Sequence, residues 1–228
     1  MQAEPLLHQA LTIREERLGP LHPETAITLN DLGWLYYLQG KYVQAEPLFK
    51  RALAIREQAL GPKHPDVGES LNNLAILYYL QGKYEQAEPL LQQALLISEQ
   101  QLGREHPRTA SILNNLAAVY REQGRYEQAE LLYVRVLSIR EKQLGPLHLN
   151  TARSLTNLAV VYLAQGKHEQ AELLFDRALP IYERQLGREH PDTLTVAGYI
   201  IILLKNKGQE EEILKIIIRF PRILDGLS

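Results

Sequence analysis

LNNLAILYYLQGKYEQAEPLLQQAL, Leu71 to Leu95, is the stretch on which the reading of the whole chain turns. Leu71, Leu74 and Tyr78 recur at i, i+3 and i+7, the spacing of one buried face of an α-helix. Extended over Val67 to Gly82, they define a first helix, A, entered through Pro65-Asp66, because proline lacks only an N–H that a first turn leaves unbonded anyway. Gln81-Gly82-Lys83 then turns the chain. Tyr84, Ala87, Leu91, Ala94, Leu95 and Leu102 supply a second apolar stripe, helix B, which Gly103 is expected to stop as a left-handed C′ residue. Ala87 and Ala94 are small where two helix axes must approach closely. The stretch therefore reads as an antiparallel helical hairpin. No segment of the chain alternates with period two, so no strand is expected.

The same hairpin recurs at an offset of 42 without an insertion. Leu18-Gly19, Leu60-Gly61, Leu102-Gly103, Leu144-Gly145 and Leu186-Gly187 fall into register, as do His22, His64, His106, His148 and His190. So do Gly40, Gly82, Gly124, Gly166 and Gly208, and Ala45, Ala87, Ala129 and Ala171. A strict period of this length is the mark of a stacked array in which each unit buries its apolar face against its neighbours. The expected fold is all-α, a single solenoid domain over 1–228 with about eleven helices. Residues 1–19 match only a helix B, with Ala3, Ala10, Leu11 and Ile13 in the columns of Ala45, Ala52, Leu53 and Ile55. Four full repeats follow at 20–61, 62–103, 104–145 and 146–187, and residues 188–228 form a degenerate, isoleucine-rich capping repeat.

Composition excludes several functions. Lys plus Arg number 25 against 27 Asp plus Glu in 228 residues, a formal net charge of −2. Nothing there offers the clustered positive charge that a phosphate backbone selects, so nucleic acid is not an expected partner. With no cysteine, thiolate chemistry and thiolate zinc sites are ruled out. The longest uncharged apolar run, Val196 to Leu204, is half of the roughly 20 residues a membrane span needs, and the amino terminus lacks the basic and apolar regions of a signal peptide. The reading is neither membrane-bound nor exported, with the cytoplasm as the default location. The five periodic histidines lie one per repeat. Stacked helices sit about 8–10 Å apart, too far for ligands that must each come within about 2 Å of one metal. A structural role at the turn before helix A is expected instead. Glu46, Glu88, Glu130 and Glu172 recur in the same structural manner. There is no HExxH, phosphate-binding glycine loop or Gly-x-Ser-x-Gly, so neither catalysis nor a cofactor is expected.

Leu74, Ala75 and Tyr78 of helix A, with Gly82, Tyr84, Ala87, Leu91 and Ala94 of the turn and helix B, resemble the tetratricopeptide repeat. The 42-residue unit, with LGPKHPD at Leu60 to Asp66 between hairpins, is similar to the repeats of kinesin light chains. The resemblance covers Leu18 to Gly208. It implies a right-handed superhelix of helix pairs with the A helices lining a concave groove, and a non-catalytic role in binding a protein partner. Glu69, Asn72, Ile76 and Tyr79 form the helix A stripe opposite its buried face and so belong to that groove, with Asn73 at the edge. The equivalent sets are Asn30, Asp31, Trp34 and Tyr37; Asn114, Asn115, Ala118 and Arg121; Arg153, Asn157, Val160 and Leu163; and Lys205. An asparagine amide both donates and accepts, so the Asn73, Asn115 and Asn157 column can hold the backbone of an extended peptide, a use the resemblance also implies. The same amides can instead bond to the neighbouring helix and set the repeat spacing. Trp34, Tyr37 and Tyr79 make the first half of the groove aromatic, Arg121 and Arg153 can pair with ligand acids, and Asp31 disfavours them. The alternative function is a structural or regulatory array, acting by self-association through its terminal repeats or as the sensor part of a larger protein.

Overall fold

A computed structural model describes residues 3–226, in which eleven α-helices and a closing 3₁₀ turn account for nearly all of the chain and no strand is present among the described residues. Two compact units are distinguished, Met1–Gln123 and Gly124–Ser228. The first holds α1 (Ala3–Leu18), α2 (Pro23–Leu38), α3 (Tyr42–Leu60), α4 (Pro65–Leu80), α5 (Tyr84–Gln101) and α6 (Pro107–Glu122). The second holds α7 (Tyr126–Leu144), α8 (Leu149–Ala164), α9 (His168–Leu186), α10 (Pro191–Asn206), α11 (Glu210–Arg219) and the 3₁₀ turn Pro221–Gly226. Within the units α2 pairs with α3, α4 with α5 and α8 with α9 as hairpins, and each hairpin leans on the next through its second helix. No described helix is long and apolar enough to cross a membrane.

The periodic histidines explain why every A helix begins where it does. His22, His64, His106, His148 and His190 are the N-cap residues of α2, α4, α6, α8 and α10, and each Nδ1 accepts the backbone N–H two residues on, at 3.1–3.2 Å. An imidazole nitrogen here replaces the oxygen of the usual Ser or Asp cap, which requires the tautomer with its proton on Nε2. Except in α8, a proline follows at the first helical position, so α4 starts two residues before the Val67 expected from its apolar pattern. His64→Ala should cost about 1 kcal/mol in urea unfolding, whereas His64→Asn, whose side-chain carbonyl can accept the same N–H, should lose much less.

Gly103, after α5, has the expected positive φ, 101°. Gly61, Gly145 and Gly187, after the B helices, do have positive φ of 85–89°, but their ψ of 153–165° is extended rather than left-handed helical. The chain must leave helix B in an extended direction to reach the next N-cap, and only glycine visits that region without strain. The compact glycine stop occurs instead after the A helices. Gly82 N–H bonds to Tyr79 O and Lys83 N–H to Tyr78 O, the paired bonds of a Schellman motif, with Gly82 at φ +71°; Gly40, Gly166 and Gly208 repeat it.

Small residues set the hairpin spacing. Ala45, Ala52, Ala87, Ala94, Ala171 and Ala178 are fully buried, and Phe49, Leu91 and Phe175 fill the space between them. A Cβ added at Gly33 of α2 would fall 2.8 Å from the Phe49 ring, and one at Gly68 of α4 would fall 3.3 Å from Ile97 Cγ2, so these two positions mark where A and B helices come closest. Consecutive repeats are joined by polar bonds. Glu46 of α3 accepts from the Tyr78 hydroxyl of α4 and pairs with Lys83 in the next turn, whose ammonium lies 5.6 Å from the Tyr78 ring centre. Glu4, Tyr36 and Lys41 form the same clasp. In the second unit Glu130 accepts from Lys167, which lies over Tyr162. The hydrogen bond from Lys50 holds the Glu46 carboxyl below its ordinary range, against the opposing effect of burial.

Candidate functional site

In α4 the outer stripe lies as helical spacing predicts, whereas Asn30, the counterpart of Asn72 in α2, is buried. Leu71, Leu74 and Tyr78 are buried, while Glu69, Asn72, Ile76 and Tyr79 are half-buried on the opposite stripe. Trp34, Tyr37, Ile76, Tyr79, Leu80, Asn115 and Ala118, from α2, α4 and α6, line a hollow of about 300 Å³. The walls are aromatic and mutually braced. Trp34 meets Tyr37 edge-on at 4.7 Å and Phe49 edge-on at 5.7 Å, and Tyr79 leans on Tyr84 at 5.7 Å. Trp34 thus touches the hairpin core through Phe49 and also lines the hollow. Burial raises the Tyr37 and Tyr79 hydroxyls above the ordinary tyrosine range, and Arg121 partly opposes this at Tyr79.

The asparagines form a ladder across the A helices. Asn73 Nδ2 donates to Asn30 Oδ1 at 2.8 Å, and one step along Asn115 Nδ2 donates to Asn72 Oδ1 at 2.9 Å. Asn114 Nδ2 reaches Asn115 Oδ1 at 3.4 Å. Asn73 is only 5% exposed and Asn30 is also buried, so that rung sits beneath the surface. The Asn72–Asn115 rung is half-buried. Asn115 lines the aromatic hollow, and Asn72 lines a second hollow of about 100 Å³ with Pro65, Gly68, Glu69, Arg108 and Ser111. Amide groups therefore stand between two adjoining depressions.

The predicted charged readers have carboxylate neighbours. Arg121 is half-buried, bonds to Glu122 at 2.6 Å and reaches the Tyr79 hydroxyl at 3.4 Å. In the second unit the exposed Arg153 meets Asp192 at 3.3 Å. Asn157, Val160 and Leu163 are half-buried on α8, and Lys205 is exposed on α10. Asp31 lies on the rim of the first unit, its carboxyl pushed up by partial burial against the pull of Arg14 and Arg56. An acidic ligand side chain would have to compete with Glu122 or Asp192 for its arginine.

One group of polar residues escaped the sequence reading. Arg56 of α3, 6% exposed, donates to Asp66 O at 3.0 Å and Ser70 Oγ at 2.9 Å of α4. Arg14 makes the same contacts with Glu24 O and Thr28, and Arg140 with Asn150 O and Ser154. These lie between hairpins and bind the scaffold, not a ligand. The signal was present as Arg at 14, 56 and 140 with Ser or Thr fourteen residues later.

The tetratricopeptide repeat profile matches residues 1–58, 36–100, 70–142 and 108–184. Among solved structures, BtubC (BKLC) from P. vanneervenii is 24% identical, aligns over 97% of this chain and 87% of its own, and superposes with a TM-score of 0.81. A kinesin light chain candidate of Podosopora anserina with nearly identical TPR-like repeats is 26% identical over 91% of this chain and 98% of its own, with a TM-score of 0.76. No curated protein matches the chain. The matched repeat profile indicates no catalytic family.

Proposed function

The chain belongs to the tetratricopeptide repeat family, whose members generally act as scaffolds for protein partners, and from that premise we propose that it binds an extended peptide segment of a partner along the A helices of its first unit. The observation that carries this reading is the aromatic hollow, which offers Trp34, Tyr37, Ile76 and Tyr79 to one ligand side chain. Apolar lining with a few placed polar groups is the usual make-up of a recognition pocket. The asparagines divide the work. Asn30 and Asn73 tie α2 to α4 from beneath, while Asn72, Asn114 and Asn115 present amide groups to a peptide backbone. Arg121 adds a charge contact, and Asp31 steers acidic residues away from the start of the segment.

The test is a peptide-display selection against the chain with Trp34→Ala as counter-target. Loss of a central aromatic anchor costs about 2 kcal/mol or more, roughly thirtyfold in affinity. Enriched peptides should bind the variant at least that much more weakly while its helical circular dichroism is retained. Peptides that bind both proteins equally would place recognition elsewhere. Asn73→Ala is a poor reporter, because it alters the α2–α4 bond as well as the groove.

A further inference from the structure

One repeat lacks the arginine that crosses between hairpins. Arg14, Arg56 and Arg140 occupy the column, and Ser98 of α5 replaces them. Arg56 shows what is lost, because its guanidinium reaches Asp66 O and Ser70 Oγ of α4. Ser98 is too short to cross and bonds instead to the Thr109 hydroxyl at 2.7 Å. The columns of Asp66 and Ser70 hold Arg108 and Ile112 of α6, and both residues, with Ser98, line the hollow of about 100 Å³ beside the aromatic one. Gly68 lines it from α4, without the Cβ of the alanine that α2, α6 and α8 carry in this column. The hollow is thus the space that a guanidinium fills in the preceding repeat, left open and floored by Gly68, Leu102 and Ile112.

Its walls define what fits. The mouth lies on the outer stripe, between Glu69 and Asn72 of α4 and Ser111 of α6. Glu69 and Arg108 pair with each other at 3.6 Å, so the mouth carries no net charge. The other polar walls are engaged as well, Ser98 with Thr109, Asn72 with Asn115, and the Ser111 hydroxyl with Pro107 O at 3.2 Å. A charged side chain would lose water there without gaining a partner. A cavity of about 150 Å³ admits benzene, so this smaller one suits an aliphatic side chain and not an aromatic ring.

We propose that this hollow is a second side-chain subsite, which takes an aliphatic residue of valine or leucine size from the same peptide whose bulkier residue fills the aromatic hollow. The inference rests on the groove reading above and adds a register to it. The residues of α4 and α6 that line the two hollows are centred about 9–14 Å apart along their helices, at about 1.5 Å per residue. An extended chain covers that distance in about three or four residues, at about 3.3 Å each. The Asn72–Asn115 rung stands between the hollows, where the peptide backbone passes.

The test restores the missing arginine. Ser98→Arg with Ile112→Ser rebuilds the contact of Arg56, beside a threonine that the repeats of Arg14 and Arg140 also have, and fills the hollow from within. Peptides selected by display on the parent chain should carry an aliphatic residue about three or four positions from their bulky anchor. They should bind the filled variant about tenfold more weakly or worse in fluorescence anisotropy, the loss that follows from excluding one aliphatic side chain, while its urea midpoint is no lower than the parent's. Replacing that residue by glycine in the peptide should weaken binding to the parent equally and leave parent and variant alike. The glycine exchange decides the matter on the parent chain alone, whatever the stability of the variant. Peptides that need Trp34 but tolerate the glycine, or bind the filled variant as tightly as the parent, overturn the subsite and leave the groove reading standing. Failure to enrich any peptide, or peptides indifferent to Trp34→Ala, overturn the groove reading itself and the subsite with it.

Discussion

Phe49→Ala is expected to lose about 3–5 kcal/mol of stability in urea unfolding, the range for emptying a buried aromatic site. Phe49 is 1% exposed, packed against the bare backbone of Gly33 on one side and the Trp34 ring on the other. Neither neighbour can move in to close the cavity without shifting α2 against α3. The same substitution should reach function, because Phe49 is the wall behind Trp34. The chain has one tryptophan, so its emission reports this site alone, and it should shift to the red in Phe49→Ala even where the helices remain folded. Phe49→Leu should recover most of the stability, since Leu91 fills the equivalent place in the second repeat. In an array whose units lean only on neighbours, the loss should appear first as an earlier transition of the first unit.

The contrast between Phe49 and the asparagines shows what the sequence makes legible. Buried columns could be read because burial has one outcome: an apolar residue at helical spacing faces a neighbour, and the 42-residue period repeats the observation until the hairpin is fixed. The stripe of Trp34, Tyr37, Ile76 and Tyr79 followed as its complement. Asparagine has two outcomes at the same position. Asn73 turns its amide onto Asn30 43 residues away, while Asn72 receives Asn115 43 residues on, and a side chain that both donates and accepts gives no sign in sequence of which partner it takes. Arginine was obscured for a related reason. Arg121 and Arg153 were read for a ligand because they stand on the outer stripe, but Glu122 and Asp192 beside them are equally polar and do not interrupt that stripe. Gly103 has the positive φ expected after helix B, whereas the extended ψ of Gly61, Gly145 and Gly187 was not legible, because positive φ follows from glycine and ψ depends on where the next N-cap must lie.

The second large effect is expected at Arg56. Arg56→Ala removes a buried guanidinium that bonds to Asp66 O and Ser70 Oγ and leaves the buried Ser70 hydroxyl without this donor. Hydrogen bonds to a charged group contribute about 1.5–3 kcal/mol, and the aliphatic stem packs between α3 and α4, so a loss of about 3 kcal/mol is expected in urea unfolding. Arg140→Ala, at a more exposed copy of the same contact, should lose less. The chain also contains the repair. In the following repeat the arginine column holds Ser98, bonded to the Thr109 hydroxyl at 2.7 Å, and the Ser70 column holds the buried Ile112. Ser98 and Ile112 change together because an apolar Ile removes the acceptor that the arginine would have served, and Thr109, whose column also holds Thr25 and Thr151 beside Arg14 and Arg140, gives the serine a partner. Grafting them as Arg56→Ser, Val67→Thr and Ser70→Ile should therefore restore most of the stability that Arg56→Ala loses, although it also removes the guanidinium. Arg56→Ser alone should not. If the triple variant is no more stable than the single one, the buried arginine is held by its packing and not by the two acceptors it satisfies.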